Sequence, residues 1–276
     1  MHAYRLAIAA MLLITASPAA PVSPKLTESV ADVSEGGQWL QHPTAGLPRT
    51  SDGKPDLSAP VPKTAEGKPD ISGLWQPAPG WVVNIAKDLK AENVPFQPWA
   101  EALFNERRAS NSLDDPTARC IPGGVPRANF VPYPFKILHT SGMVVILYEA
   151  VQSYRQIFTD GRELPQDPNP TWMGYSVGRW DGEAFVVHTA GFNDKGWLDN
   201  SGRPATERLQ VTERFIRKDF GHMDVQITID DAKAYTKPWT VTLPLTFVPD
   251  TELLEYVCNE NNRYFDLIPK QEGERR

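Results

Sequence analysis

From Phe130 onward the chain is a succession of short runs of β-forming residues, each closed by turn residues. Strands are predicted near 134–140, 142–150, 152–159, 172–180, 183–190, 207–217, 221–230, 239–248 and 252–260. Most connections are hairpin-short, as at Thr140-Ser141-Gly142, Trp180-Asp181-Gly182 and Asp219-Phe220-Gly221. Strands joined in this way pair antiparallel in a meander. A long meander must either close or expose an edge, and closure removes the edge. The expected fold is therefore mainly β, an antiparallel up-and-down barrel. A two-sheet β-sandwich is the alternative.

The chain ahead of these strands has a different character. The first 20 residues have the pattern of a cleaved export signal: His2 and Arg5, an apolar run over 6–15, then the small residues Ala16-Ser17-Pro18-Ala19-Ala20. The apolar run is well short of the ~20 residues that span a bilayer. Residues 21–69 are expected to be an irregular, Pro/Gly-rich extension. It contains an echo, T-S-D-G-K-P-D-L-S at 50–58 and T-A-E-G-K-P-D-I-S at 64–72. Two copies are too few for a solenoid, and Asp-Gly and Lys-Pro-Asp are turn chemistry. The second copy leads into Gly73-Leu74-Trp75, a strand start with a buried Trp. One helix is predicted near 97–110, with Pro98 in its first turn and Trp99, Ala102 and Leu103 on one face. It should pack on, or plug one end of, the sheet. The β domain is expected over 70–268, with a polar tail at 269–276.

Composition narrows the partners. With 28 basic and 34 acidic residues the net charge is −6, so the chain has no footprint for nucleic acid or an anionic membrane surface. Stable membrane insertion is not expected either. In the periplasm or outside the cell, the two cysteines, Cys120 and Cys258, are expected to form one disulfide; two free buried thiols are the alternative. The oligomeric state is left open.

Only two connections are long, 161–171 and 191–206, and long loops in a compact domain are often functional. In a strict up-and-down order both should emerge at the same end of the barrel. That would gather Asp160, Arg162, Asp167, Asp194, Trp197 and Asp199 around one mouth.

At the level of motifs, G-K-P-D-I-S-G-L-W, the P-W-A helix, D-D-P-x-x-x-C-x-P-x-G-x-P-R, the D-G-R loop, S-V-G-R-W-D-G, G-F-N-D-x-x-W-L-D, E-R-F and Y-T-K-P-W recur here in order. Together they resemble a large, mostly uncharacterised family of exported bacterial proteins. The resemblance covers nearly all of the chain beyond the signal and implies a common fold and site, but no substrate. Two positions depart from the family pattern: His188 stands where an Asp is usual, and Pro204-Ala205-Thr206 where Pro-His-Ser is usual. More loosely, Gly-x-Trp ahead of an antiparallel meander is similar to the lipocalins, which hold small apolar ligands in a barrel.

Several side chains could carry chemistry. Glu213 shares an apolar strand face with Leu209, Val211 and Phe215, which implies either pairing with a buried cation or a role in proton transfer. Arg155, on the strand bearing Ser153 and Ile157, is the candidate partner. His188 could act as a general acid or base, or be a hydrogen-bonded core residue. Asp160 and Asp194 complete the catalytic candidates. Arg162 could clamp a carboxylate, or simply belong with Asp160 to a tight turn. Asp199 could flank a ligand beside Trp197, while Trp172 and Trp197 could equally cap the core. Tyr154, Tyr175 and Tyr235 offer hydroxyls. The five His residues (2, 42, 139, 188 and 222) show no metal-ligand spacing, and neither a P-loop, a G-x-G-x-x-G nor a G-x-S-x-G is found, so no metal and no nucleotide cofactor is expected. The expectation is an exported barrel with a small-molecule cavity. It could be a cofactor-independent lyase, isomerase or hydrolase acting on a small apolar or aromatic compound, or a non-catalytic carrier of lipocalin type.

Overall fold

The computed structural model describes residues 42–150 and 153–260. The expected signal at 1–20, the first part of the extension and the tail at 269–276 lie outside the described residues. Nine strands form a closed barrel in sequence order: β1 (Gly73–Pro77), β2 (Phe135–Thr140), β3 (Met143–Tyr148), β4 (Tyr154–Phe158), β5 (Tyr175–Asp181), β6 (Ala184–Ala190), β7 (Gln210–Arg217), β8 (His222–Asp230) and β9 (Trp239–Phe247). The barrel is thus as expected, with one α-helix among the described residues, α1 (Pro98–Ala109), beside it.

The strand alternation places apolar side chains inward. Met223, Val225, Ile227 and Ile229 on β8 face Leu245, Leu243, Val241 and Trp239 on β9, and all are buried. Many lumen-facing positions carry large side chains, among them Phe135, Ile146, Phe185 and Phe215. Gly178 yields to this packing, since a Cβ there would lie 2.5 Å from the Phe185 ring.

Two details differ from the strict meander. The predicted strand at 252–260 is not a strand; the ring closes through β1, which pairs antiparallel with both β2 and β9. Local β propensity at 252–260 has no free edge left to join. Also, β4 and β5 are parallel, Ile157 opposite Ser176, while every other pair is antiparallel. An odd ring cannot alternate throughout, so one parallel pair is required. The consequence is that the 159–174 connection crosses from one end of the barrel to the other.

One end carries the hairpins β2–β3, β5–β6 and β7–β8 and is sealed. Trp75 is fully buried and donates its ring N–H to the Ile71 carbonyl at 3.0 Å. The Arg217 guanidinium lies over the Trp75 ring at 4.9 Å and donates to the carbonyls of Asp70, Asp219 and Phe220. Burial lowers the Arg217 pKa to about 10. Gly73 has φ +119°, and a Cβ there would lie 2.4 Å from the Phe247 ring. The two echo copies fold alike: Thr50 N–H donates to the Lys54 carbonyl at 2.9 Å, and Thr64 N–H to the Lys68 carbonyl at 2.8 Å. At the end of the first copy the Leu57 and Ala59 carbonyls accept from the Gly221 and Phe220 N–H groups, while the second copy leads directly into β1.

The opposite end gathers 78–134, 191–209 and the 231–238 connection. Helix α1 is hung there, with Gln97 N–H on the Ala234 carbonyl and the Trp99 ring N–H on the Lys233 carbonyl, both at 2.8 Å. A 3-10 turn, Arg127–Phe130, has all four residues buried and plugs this mouth.

Candidate functional site

The plug is pinned by polar side chains on both sides. Inside the barrel, Asn129 donates its amide to Glu213 Oε1 at 2.5 Å, and Glu213 Oε2 takes Arg155 Nη2 at 2.5 Å. Glu213 and Arg155 expose 0% and 1% of their side chains, so this is an ion pair within the apolar core. Arg155 also donates to Ser176 Oγ at 3.0 Å and Thr189 Oγ1 at 2.7 Å. Burial opposes the Arg155 charge, but the Glu213 carboxylate outweighs it and the net shift is upward. Because the Asn129 amide nitrogen must face the carboxylate, its oxygen faces Tyr148, whose hydroxyl donates to it at 2.7 Å. Burial raises the Tyr148 hydroxyl far above its ordinary value and keeps it protonated.

Outside the barrel, Arg127 makes a bidentate contact with Asp115 at 2.9 and 2.5 Å, and reaches Thr117 Oγ1 at 3.0 Å and Asn200 Oδ1 at 2.5 Å. Asp115 also caps the turn that leads to Cys120, accepting from Thr117 N–H at 2.9 Å. Cys120 is bonded to Cys258, as the cysteine count implied.

A cleft of about 320 Å³ lies beside this plug. Tyr133, Tyr148 and Tyr256 supply its aromatic wall, Val82, Ala128 and Val131 its apolar surface, and Arg127, Asn200 and Cys258 its remaining edge. Of two wider depressions, one of about 450 Å³ is lined mostly by exposed residues such as Gln166 and Asp167, and one of about 490 Å³ mostly by partly exposed residues such as Ser112 and Ser201 together with the buried Asp115. The mouth cleft alone of the three joins buried aromatic and polar side chains.

The candidates read from the sequence do not converge there. Asp160 and Arg162 lie at the hairpin end, where Thr159 N–H reaches the Gly142 carbonyl at 2.9 Å. Asp194, Trp197 and Asp199 are at the opposite end, so the shared mouth is not formed; the parallel β4–β5 pair is the reason. Arg162 grips both Asp160 oxygens, donates to the Tyr175 hydroxyl at 3.1 Å and stacks on Phe158 at 4.0 Å. This hydrogen bonding lowers the Asp160 pKa. His188 faces outward between Val177 and Thr212, so it is Glu213 and not His188 that enters the barrel. Its Nδ1 is 3.1 Å from Thr212 Oγ1, and burial followed by the Arg179 charge lowers its pKa.

Tyr154 is 63% exposed on the outer face, and Asp194 is exposed. Asp199 is fully buried, paired with Arg203 and accepting Ile85 N–H at 3.0 Å. Trp197 is buried beneath the Arg107 guanidinium at 4.2 Å. Trp172 is half-buried, its carbonyl packed closely against Gly124 of the segment leading into the plug. Tyr235 is buried and donates to the Pro204 carbonyl at 2.9 Å. Of the predicted set, Arg155 and Glu213 meet inside the barrel as proposed, and Asp160 and Arg162 meet in the tight turn that was the alternative to a carboxylate clamp. Sequence reasoning missed Arg127, Asn129, Tyr133, Tyr148 and Tyr256. The D-D-P-x-x-x-C-x-P-x-G-x-P-R segment was the available signal, because it holds Asp115, Cys120 and Arg127 together.

Fold and site together define a class: a closed nine-stranded barrel, plugged at one mouth, with an aromatic cleft beside the plug. Compared with models of known families, with curated proteins and with solved structures, the chain matches none.

Proposed function

We propose that this chain is an exported ligand-binding barrel that holds a small, neutral aromatic or apolar molecule in the mouth cleft. The carrying observation is the cleft itself, about 320 Å³ with three tyrosines and an apolar wall. That volume lies at the lower end of ordinary ligand pockets of ~300–1,000 Å³. Its charged lining residue, Arg127, is already neutralised by Asp115, which favours an uncharged ligand. The disulfide suits an oxidising compartment, and no described helix is long and apolar enough to cross a membrane.

Titration calorimetry with 1-naphthol and with 1-naphthoate tests the reading. Binding of the neutral compound, weakened by Tyr133→Ala and Tyr256→Ala, is expected. Equal binding to the unaltered protein and both variants would remove the cleft from the site. A second reading, acid/base catalysis, draws on the Tyr148–Asn129–Glu213–Arg155 chain behind the same wall. Mass spectrometry of the recovered ligand separates the two: unchanged compound leaves a carrier, and product lost on Tyr148→Phe makes an enzyme.

A further inference from the structure

After β9 ends at the hairpin end, residues 251–260 return along the outside of β2 to the plug end. Side chains fasten them: Glu252 pairs with Lys136 of β2, and the Tyr256 ring lies 5.0 Å from that of Tyr133. Leu254 N–H donates to Glu149 Oε2 at 3.0 Å, and Cys258 is bonded to Cys120. Among the described residues, no ladder hydrogen bond joins this segment to the barrel, whose ring is complete without it. The same segment supplies Tyr256 and Cys258 to the cleft wall. Both cysteines are partly exposed, so a thiol can reach the bond.

We propose that residues 251–260 are a strap forming one wall of the cleft, latched by the Cys120–Cys258 bond and opened by thiol reduction while the barrel stays folded. A dithiol supplies the two electrons. One of its thiolates attacks a cysteine sulfur and the S–S bond breaks. The second thiol then displaces the mixed disulfide, leaving Cys120 and Cys258 as thiols and the reductant as a disulfide. No strand pairing is lost, because β9 keeps both neighbours, β8 and β1. The effect on ligand rests on the cleft being the binding site; the release of the strap does not.

The test treats the folded, oxidised protein with dithiothreitol, verifies two free thiols by alkylation mass, and follows hydrogen exchange together with 1-naphthol affinity. Peptides covering 251–260 are expected to exchange faster by about tenfold or more, with β7–β9 unchanged. Naphthol affinity is expected to fall in parallel. The Cys120→Ser/Cys258→Ser variant should exchange like the reduced protein. Unchanged exchange in the strap, equal acceleration in β7–β9, or a bond that resists reduction until the barrel unfolds would each overturn the proposal. A protein that shows strap release but never binds naphthol would sink the ligand reading and leave the latch standing.

Discussion

The substitution Glu213→Gln isolates the ion pair at the centre of the barrel. The volume is conserved, but the negative charge that balances a fully buried guanidinium is removed. The amide also cannot satisfy its neighbours. Glu213 accepts from both Arg155 and Asn129, each at 2.5 Å, whereas a glutamine has one oxygen and turns its NH₂ toward the other donor. If Asn129 rotates to compensate, Tyr148 loses the oxygen it donates to. Breaking a buried pair from one side costs about 3–5 kcal/mol, against a typical total stability of ~5–15 kcal/mol. With a urea m-value of about 2.5 kcal/mol/M, the unfolding midpoint should fall by roughly 1–2 M. Replacing both partners, Arg155→Met with Glu213→Leu, should recover most of that loss, since apolar residues often substitute for a buried pair at little cost. Ser176 and Thr189 remain bonded to each other at 3.0 Å, so only the Asn129 amide stays unsatisfied, at about 1–3 kcal/mol. Urea titrations of the three proteins with the disulfide intact provide the measurement. A single variant within ~0.3 M of the parent, or a double variant no more stable than the single, would refute the pair as the organiser of the core.

Gly73→Ala should cost about 2–4 kcal/mol, because it combines backbone strain at φ +119° with a Cβ 2.4 Å from the Phe247 ring. A urea midpoint matching the parent's would mean that the hairpin-end seal is loosely packed. Stability should also fall with pH through His188. Its folded pKa is lowered by burial and by Arg179. Below the unfolded value of about 6.5 the unfolded chain therefore binds the proton first, and stability drops as pH falls. The decrease in Tm between pH 7.5 and 5.5 should be smaller in His188→Gln, and an equal decrease would remove His188 from the account.

What was legible in the sequence is what short-range patterns determine. The period-two alternation over 210–247 sets both the strands and their inward faces, so Glu213 could be placed on the apolar face from sequence alone. The Cys120–Cys258 bond was legible as well, because a chain with two cysteines offers a single internal pairing. The misplaced features depend on closure of the whole ring. Nothing local distinguishes β1 from 252–260 as the ninth strand, since both are β-rich and only one can pair with β2 and β9. Either choice gives nine strands and so one parallel pair, but nothing local places that pair at β4–β5, and its position is what separates Asp160 from Asp194. The plug was hidden for another reason. Arg127–Phe130 has no periodicity, and it is buried because Asp115 and Glu213, far apart in sequence, supply its partners.

The two ends of the barrel are closed by different chemistry, and this difference supports the proposal that the ligand sits at the plug end. At the hairpin end the seal consists of Trp75, Phe220 and Phe247 around Arg217, whose acceptors are backbone carbonyls of the turns themselves. Opening it would disrupt strand ends directly. At the plug end the closing pieces are a 3-10 turn and an irregular strap, held by side-chain pins from Asp115, Asn200, Glu149 and Cys120. Each pin can be released without breaking a ladder bond, because none of the closing pieces belongs to the ring. A rigid scaffold that carries its adaptable segments at one mouth is the usual arrangement for binding. In this barrel the tyrosines stand where the rigid and releasable parts meet, Tyr148 on β3 and Tyr256 on the strap.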